Sequence, residues 1–128
     1  MNTPRGGPRF RCSVRVQFLP EQSKTPDGPF AFAYTVTVRN EGDRSGQLVG
    51  RQWLITDALG RTEEVRGLGV VGQQPLIEPG HSFEYSSWTR VATPHGSMQG
   101  TFFCISDDAR SFETEVPEFI LVSPGALH

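Results

Sequence analysis

The sequence predicts an all-β protein, with two antiparallel sheets packed face to face. Three observations lead there. Apolar and polar residues alternate with a period of two through most of the chain, as they do in half-buried strands. Turn-forming groups such as "TPDG", "DALG" and "TPHG" punctuate that alternation at about the spacing of a sandwich. No window of twelve residues carries a helical stripe free of proline and glycine. A closed barrel with the same strand pattern is the competing architecture.

The elements follow in order. "RCSVRVQFL" (11–19) places Cys12, Val14, Val16 and Phe18 on one side and Arg11, Ser13, Arg15 and Gln17 on the other. "TPDG" then turns the chain, proline fixing one dihedral and glycine allowing positive φ. "FAFAYTVTVRN" (30–40) is the clearest strand, with Phe30, Phe32, Tyr34, Val36 and Val38 on a single face. After the loop "NEGDRSG", "QLVGRQWLIT" (47–56) sets Trp53 and Ile55 on one parity and Leu54 on the other. "DALG" reads as a hairpin connection with Gly60 in a left-handed position, and "RTEEV" (61–65) returns. "QPLIEPG" is a short apolar piece closed by a Pro-Gly turn. "HSFEYSSWTR" (81–90) points Phe83 and Tyr85 inward and Glu84 outward. "SMQGTFFCIS" (97–106) is apolar on both parities near its end, which suggests a strand covered on both sides. "SFETEV" and "EFILV" are split by Pro117, best accommodated at a bulge or edge. That makes about eight strands, around an expected core of Phe32, Tyr34, Val36, Trp53, Ile55, Phe83, Tyr85 and Phe102.

A chain of 128 residues suits one domain. Residues 1–9 read as a flexible N-terminal tail, 10–128 as the single domain, and the last five residues as a loose end. Twelve basic against fourteen acidic side chains give a net charge of −2, which argues against general nucleic-acid binding. Neither a signal sequence nor a membrane span is legible, so the expected setting is the cytoplasm, with no membrane attachment. Cys12 and Cys104 fit reduced core residues; a disulfide between them is the alternative if their strands are neighbours.

Residues 67–72, "GLGVVG", have the spacing of a dinucleotide-binding turn, which makes Gly67, Gly69 and Gly72 candidate ligand-binding residues. That role needs a strand entering the turn and a helix leaving it, so that the helix N-terminus meets the pyrophosphate. The next residues are "QQPLIEPG", and Pro75 and Pro79 leave no room for a helix. The expectation is an irregular connection between sheets, its glycines at positive φ and Leu68, Val70 and Val71 tucked into the core edge. A backbone nest for a small anion needs less than a full fold and stays open as the alternative.

Catalytic and metal constellations are not legible. His81, His95 and His128 are far apart and the cysteines are single, unlike the convergent ligands of a zinc site. Asp107 and Asp108 are adjacent, as are Glu63 and Glu64, so on a strand each pair faces opposite ways. A hard-cation site from Asp57, Asp107, Asp108 and Glu113 requires loops to converge. No serine sits in a nucleophile elbow. No catalytic residue, metal or cofactor is therefore expected. Trp88 shares parity with Glu84 and Arg90, so it points outward if Phe83 and Tyr85 point in. It is the candidate partner contact, either as an interface anchor or covered by a loop or a second copy of the chain. An unidentified protein partner is the leading expectation, with a homodimer as one form of it, and exposed edge strands can receive an extended segment.

The stretches "FAYTVTVRN", "QLVGRQWLITD", "EVRGLGVVGQQPLIEPG", "FEYSS", "TPHGSMQGTF" and "PEFILVSP" together resemble the ApaG family, over about residues 10 to 128. The resemblance implies a fibronectin type III-like or immunoglobulin-like sandwich. It also implies that Gly67, Gly69 and Gly72 are the family's glycine motif, which prompted the idea of nucleotide or pyrophosphate binding. It brings no enzymatic activity, an association with cobalt and magnesium tolerance, and, by analogy with related domains in larger proteins, a protein-binding role. At Trp88 the family pattern expects a small residue, so this sequence departs from it there.

Overall fold

Alternation decides which side of each strand is buried, and the computed structural model, which describes residues 6–24 and 27–124, shows where those sides meet. The strands are β1 (Phe10–Leu19), β2 (Phe30–Asn40), β3 (Gly46–Asp57), β4 (Thr62–Leu68), β5 (Leu76–Ile77), β6 (Ser82–Val91), β7 (His95–Ser106) and β8 (Ser111–Val122), with one 3-10 turn at Pro20–Gln22. They form two antiparallel sheets, β1-β2-β6 and β4-β3-β7-β8, with β5 added to β3. The architecture is a β-sandwich, not a closed barrel.

The inward parity of β2 meets that of β3 and β7. Trp53 lies at the centre, its ring edge-on to Tyr34, Phe102 and Phe119 at centroid separations of 5.6, 5.9 and 6.0 Å. Such contacts add to the burial of large apolar side chains, itself worth about 1.5–3 kcal/mol each. Seven of the eight expected core residues are buried, and Phe83, near the open side of the sandwich, is half-buried. Val38, Leu48, Val70, Met98, Val116 and Leu121 are among the other fully buried residues of the interior. The Tyr85 hydroxyl is buried with no hydrogen-bond partner among the described residues, and burial raises its pKa.

Several boundaries differ from expectation. β8 is one continuous strand: Val116 pairs with Gly100 and Phe119 with Met98, so Pro117 and Glu118 together face Gln99. That bulge on an edge strand accommodates a residue without an N–H. β4 runs on to Leu68 and absorbs the first glycine of the hexapeptide. On β7, Phe103 and Ile105 are only half-buried, because no other layer covers that face among the described residues.

The β2–β3 corner is held by Asn40, fully buried. Its Oδ1 accepts from the amides of Arg9 and Gly42, and its Nδ2 donates to the carbonyls of Arg44 and Ile77. A buried amide satisfied on every side fixes a corner in one arrangement. Within the expected N-terminal tail, the carbonyls of Gly7 and Arg9 accept from the amides of Asp43 and Glu41. Residues 1–5 of that tail, Thr25 and Pro26 of the "TPDG" turn, and 125–128 of the expected loose end lie outside the described residues.

Candidate functional site

The hexapeptide does not join the two sheets. It leaves β4 and returns as β5 along the same edge of β3, so both flanking strands belong to one sheet. Between them Val70 and Gln73 exchange both main-chain hydrogen bonds, at 2.8 and 2.9 Å. Val71 and Gly72 form the tip, with φ of 43° and 80°. Positive φ at both central residues is the signature of a two-residue type I′ turn, where asparagine and glycine are at ease and a β-branched valine is strained. Gly69 also has positive φ, at 66°, whereas Gly67 is an ordinary strand residue. Only Val70 enters the core. Leu68 is 80% exposed and Val71 51%, contrary to their expected burial: Leu68, the last residue of β4, shares the outward parity of Glu64 and Arg66, and Val71 stands at the turn tip, while Val70 is fully buried in the core.

The amides of this loop are largely engaged within the protein. Gly69 donates to Val49 at 2.7 Å, while Val70 and Gln73 donate to each other. Val71 and Gly72 have no main-chain acceptor among the described residues. The carbonyls instead face a cation: Arg51 Nη1 donates to Leu68 and Gly69 at 3.1 and 3.0 Å. Arg51 stands opposite Gly67 in the β3–β4 register, and a Cβ on Gly67 would lie 2.7 Å from Nη1. Gly67 is therefore the seat of a guanidinium. Sequence reasoning missed Arg51, although a signal existed: it is a charged residue on the same parity as Trp53 and Ile55.

β6 offers the opposite arrangement. The Asn40 amide donates to His81, and that of Gly80 to Asn40, so Asn40 turns its main chain toward β6. Polarity alternates along a strand. In the observed register, Phe83, Tyr85, Ser87, Thr89 and Val91 therefore bond to β2. Ser82, Glu84, Ser86, Trp88 and Arg90 aim their N–H and C=O groups off the edge of the sheet, where the described residues supply no main-chain partner. The same residues carry their side chains on the outer face. Trp88 is 54% exposed there, with the Arg90 guanidinium carbon 5.1 Å from its ring centroid. A groove of about 520 Å³ runs past it, floored by Ala33 and walled by Leu19, Gln22, Ser86 and Trp88.

The other candidates stay apart. Asp57 closes the β3–β4 turn, accepting from the Leu59 and Arg61 amides and from Arg61 Nε. Asp107 and Asp108 lie beyond the other end of β3, held by Arg44 and Arg110. Register places Gly46 beside Ser106 and Asp57 beside Gly96, so these carboxylates occupy opposite ends of the sandwich. Glu113 is on β8, Glu63 and Glu64 are exposed on β4, and His81 and His95 are exposed at strand starts. His128 lies outside the described residues. Among the described residues no three potential metal ligands converge, and no helix is long and apolar enough to cross a membrane. Cys12 and Cys104 are free thiols on facing sheets, each pushed up to about 12 by burial and so protonated at neutral pH.

Fold and surface together define a small antiparallel β-sandwich protein whose large exposed aromatic stands on an edge strand. Comparison with known proteins makes this specific. The family model described as the ApaG domain matches residues 20–106. Protein ApaG of Ralstonia nicotianae is 53% identical over 115 residues, covering 90% of this chain and 93% of that one. Protein ApaG of Dechloromonas aromatica is 51% identical over 122 residues, covering 94% and 96%. A crystal structure described as a putative ApaA protein from Bordetella pertussis superposes with a TM-score of 0.90 at 43% identity, covering 95% of this chain and 99% of that one. The chain belongs to the ApaG domain family.

Proposed function

We propose that the chain is a non-enzymatic interaction module of the cytoplasm that grips a protein partner on the outer face of the β1-β2-β6 sheet. The observation that carries this reading is Trp88, exposed beside an apolar groove whose floor is the small side chain of Ala33. Tryptophan in such a setting supplies large rigid contact area and is a favoured interface anchor. The sheet order of three strands against four, with β5 appended, is consistent with a fibronectin type III-like scaffold. We attach the family's link with cobalt and magnesium tolerance to the partner and not to metal binding by this chain. Affinity capture with the wild type, Trp88→Ala and a groove-filling Ala33→Arg variant tests the reading. A specific partner should be retained by the first and lost by the other two, with all three folded; equal capture by all three removes the groove from consideration.

A second reading, binding of pyrophosphate, a nucleotide or another small anion by the "GLGVVG" loop, draws on the Val71 and Gly72 amides, which have no acceptor among the described residues, and on the nearby Arg51. Titration with pyrophosphate while following the amide signals of Gly67, Gly69, Val71 and Gly72 tests it. Signals that stay still at millimolar pyrophosphate dismiss it.

A further inference from the structure

A sandwich of two open sheets has four edges, and this one protects three of them. β1 runs close against β8 along one seam, and Pro20 ends it. β8 itself carries Pro117 and a bulge. The β4–β5 edge is broken by the excursion between them and carries Glu63, Glu64 and Arg66. These are the devices by which proteins blunt edges. Among the described residues β6 has neither proline nor bulge nor covering strand: ten residues run without proline, glycine, lysine or register shift, and its two charges, Glu84 and Arg90, are of opposite sign and so complementary in a second copy.

We propose that β6 is the interface through which two copies of this chain pair, antiparallel about a two-fold axis at Ser87, forming one continuous six-stranded sheet. Main-chain polarity allows pairing only among the outward-facing residues Ser82, Glu84, Ser86, Trp88 and Arg90, so paired residue numbers must sum to an even value. Charge selects among the remaining registers. When the sum is about 174, Glu84 stands opposite Arg90 of the second copy, and the two-fold repeats that pair. One step to either side sets Glu84 against Trp88 or against Ala92, with no opposite charge from the second copy to meet it; Arg15 of its own copy, 3.7 Å away, is the same in every register and does not discriminate. The selected register also pairs Ser86 with Trp88 and forms about eight main-chain hydrogen bonds. The outer faces of both copies then join, and both tryptophans stand beside the axis on one surface. The pairing rests on main chain and charge, so it stands whether or not Trp88 anchors a different protein.

Sedimentation of the full chain from micromolar to millimolar concentration tests the interface, with thermal melting as the fold control. The wild type should show a reversible monomer–dimer equilibrium. Ser86→Pro removes an outward N–H that β2 does not use, and should remain monomeric. Arg90→Glu sets like charges together and should weaken dimerisation about tenfold, and Glu84→Arg combined with Arg90→Glu should restore it. Register has its own readout. Across the axis Ser87 faces Ser87 as a non-hydrogen-bonded pair, at about 4.5 Å between Cα atoms, a spacing a disulfide spans. Ser87→Cys should therefore cross-link under mild oxidation, while Thr89→Cys, which faces Tyr85 of the second copy, should not. A wild type that is monomeric at millimolar concentration overturns the proposal, as does a folded Ser86→Pro variant that still dimerises. A double charge reversal that fails to restore pairing, or cross-linking by Thr89→Cys in place of Ser87→Cys, overturns the register. If Ser86→Pro does not fold, the charge and cysteine variants decide.

Discussion

The hexapeptide loop and β6 put the same chemical groups to opposite uses. In the loop, the amides of Gly69, Val70 and Gln73 are engaged within the protein, and the carbonyls of Leu68 and Gly69 close on Arg51. Along β6, outward main-chain groups from Ser82 to Arg90 have no partner among the described residues. The loop carries the motif that attracts attention in the sequence, while the strand carries the unmet hydrogen-bonding capacity. Glycine spacing says that a backbone can come close to something. Only a count of donors and acceptors says whether that something is a ligand or the protein's own side chain.

If the loop is structural, altering its glycines should cost stability according to local space. Gly69 combines positive φ with crowding: an added Cβ would lie 2.5 Å from the Gln73 carbonyl oxygen. Gly69→Ala should destabilise the protein by about 2–3 kcal/mol in urea unfolding. Gly72 has positive φ but open space around it, so Gly72→Ala should cost only about 1 kcal/mol. Equal costs at both positions would break the distinction between a packed turn and a loosely held one.

Val71 sharpens the comparison from the other side. A β-branched residue at φ of 43° is strained, and here it is half exposed. Val71→Asn would create the Asn-Gly pair that a type I′ turn prefers, and should raise stability by about 1 kcal/mol. Strain relieved with no change in binding marks the loop as scaffold. Strain relieved together with loss of pyrophosphate-dependent amide shifts would favour the second reading.

Legibility followed the range of the interactions concerned. The facing of Phe32, Tyr34 and Val36, and the outward aim of Trp88, were readable because side-chain direction in a strand is a local, period-two property. The same rule shows that Arg51 points inward, yet a single charge among apolar neighbours gives no hint that Gly67 lies opposite it. That fact depends on the β3–β4 register. The burial of Val70 beside the exposure of Val71 depends on turn type, and "VVG" is not a type I′ sequence; that of Leu68 depends on β4 running through the first glycine. The open edge of β6 depends on strand order, which is set by long-range pairing and leaves no mark on the strand itself.

The smallest expected stability change falls at the residue with the largest expected functional one. Trp88 keeps more than half of its surface in solvent, and its contact with Arg90 is itself exposed. An exposed cation–π pair contributes about 0.5–1 kcal/mol, and the solvent-facing part of the ring is hydrated in the folded and unfolded chain alike, so that part contributes nothing to stability. Trp88→Ala should thus lower unfolding stability by about 0.5–1 kcal/mol, while Gly69→Ala leaves the outer face intact and costs several times more. A large loss of stability in Trp88→Ala would mean that the ring packs against its own sheet, and the contrast between an inward-turned loop and an outward-turned strand would fail at its anchor.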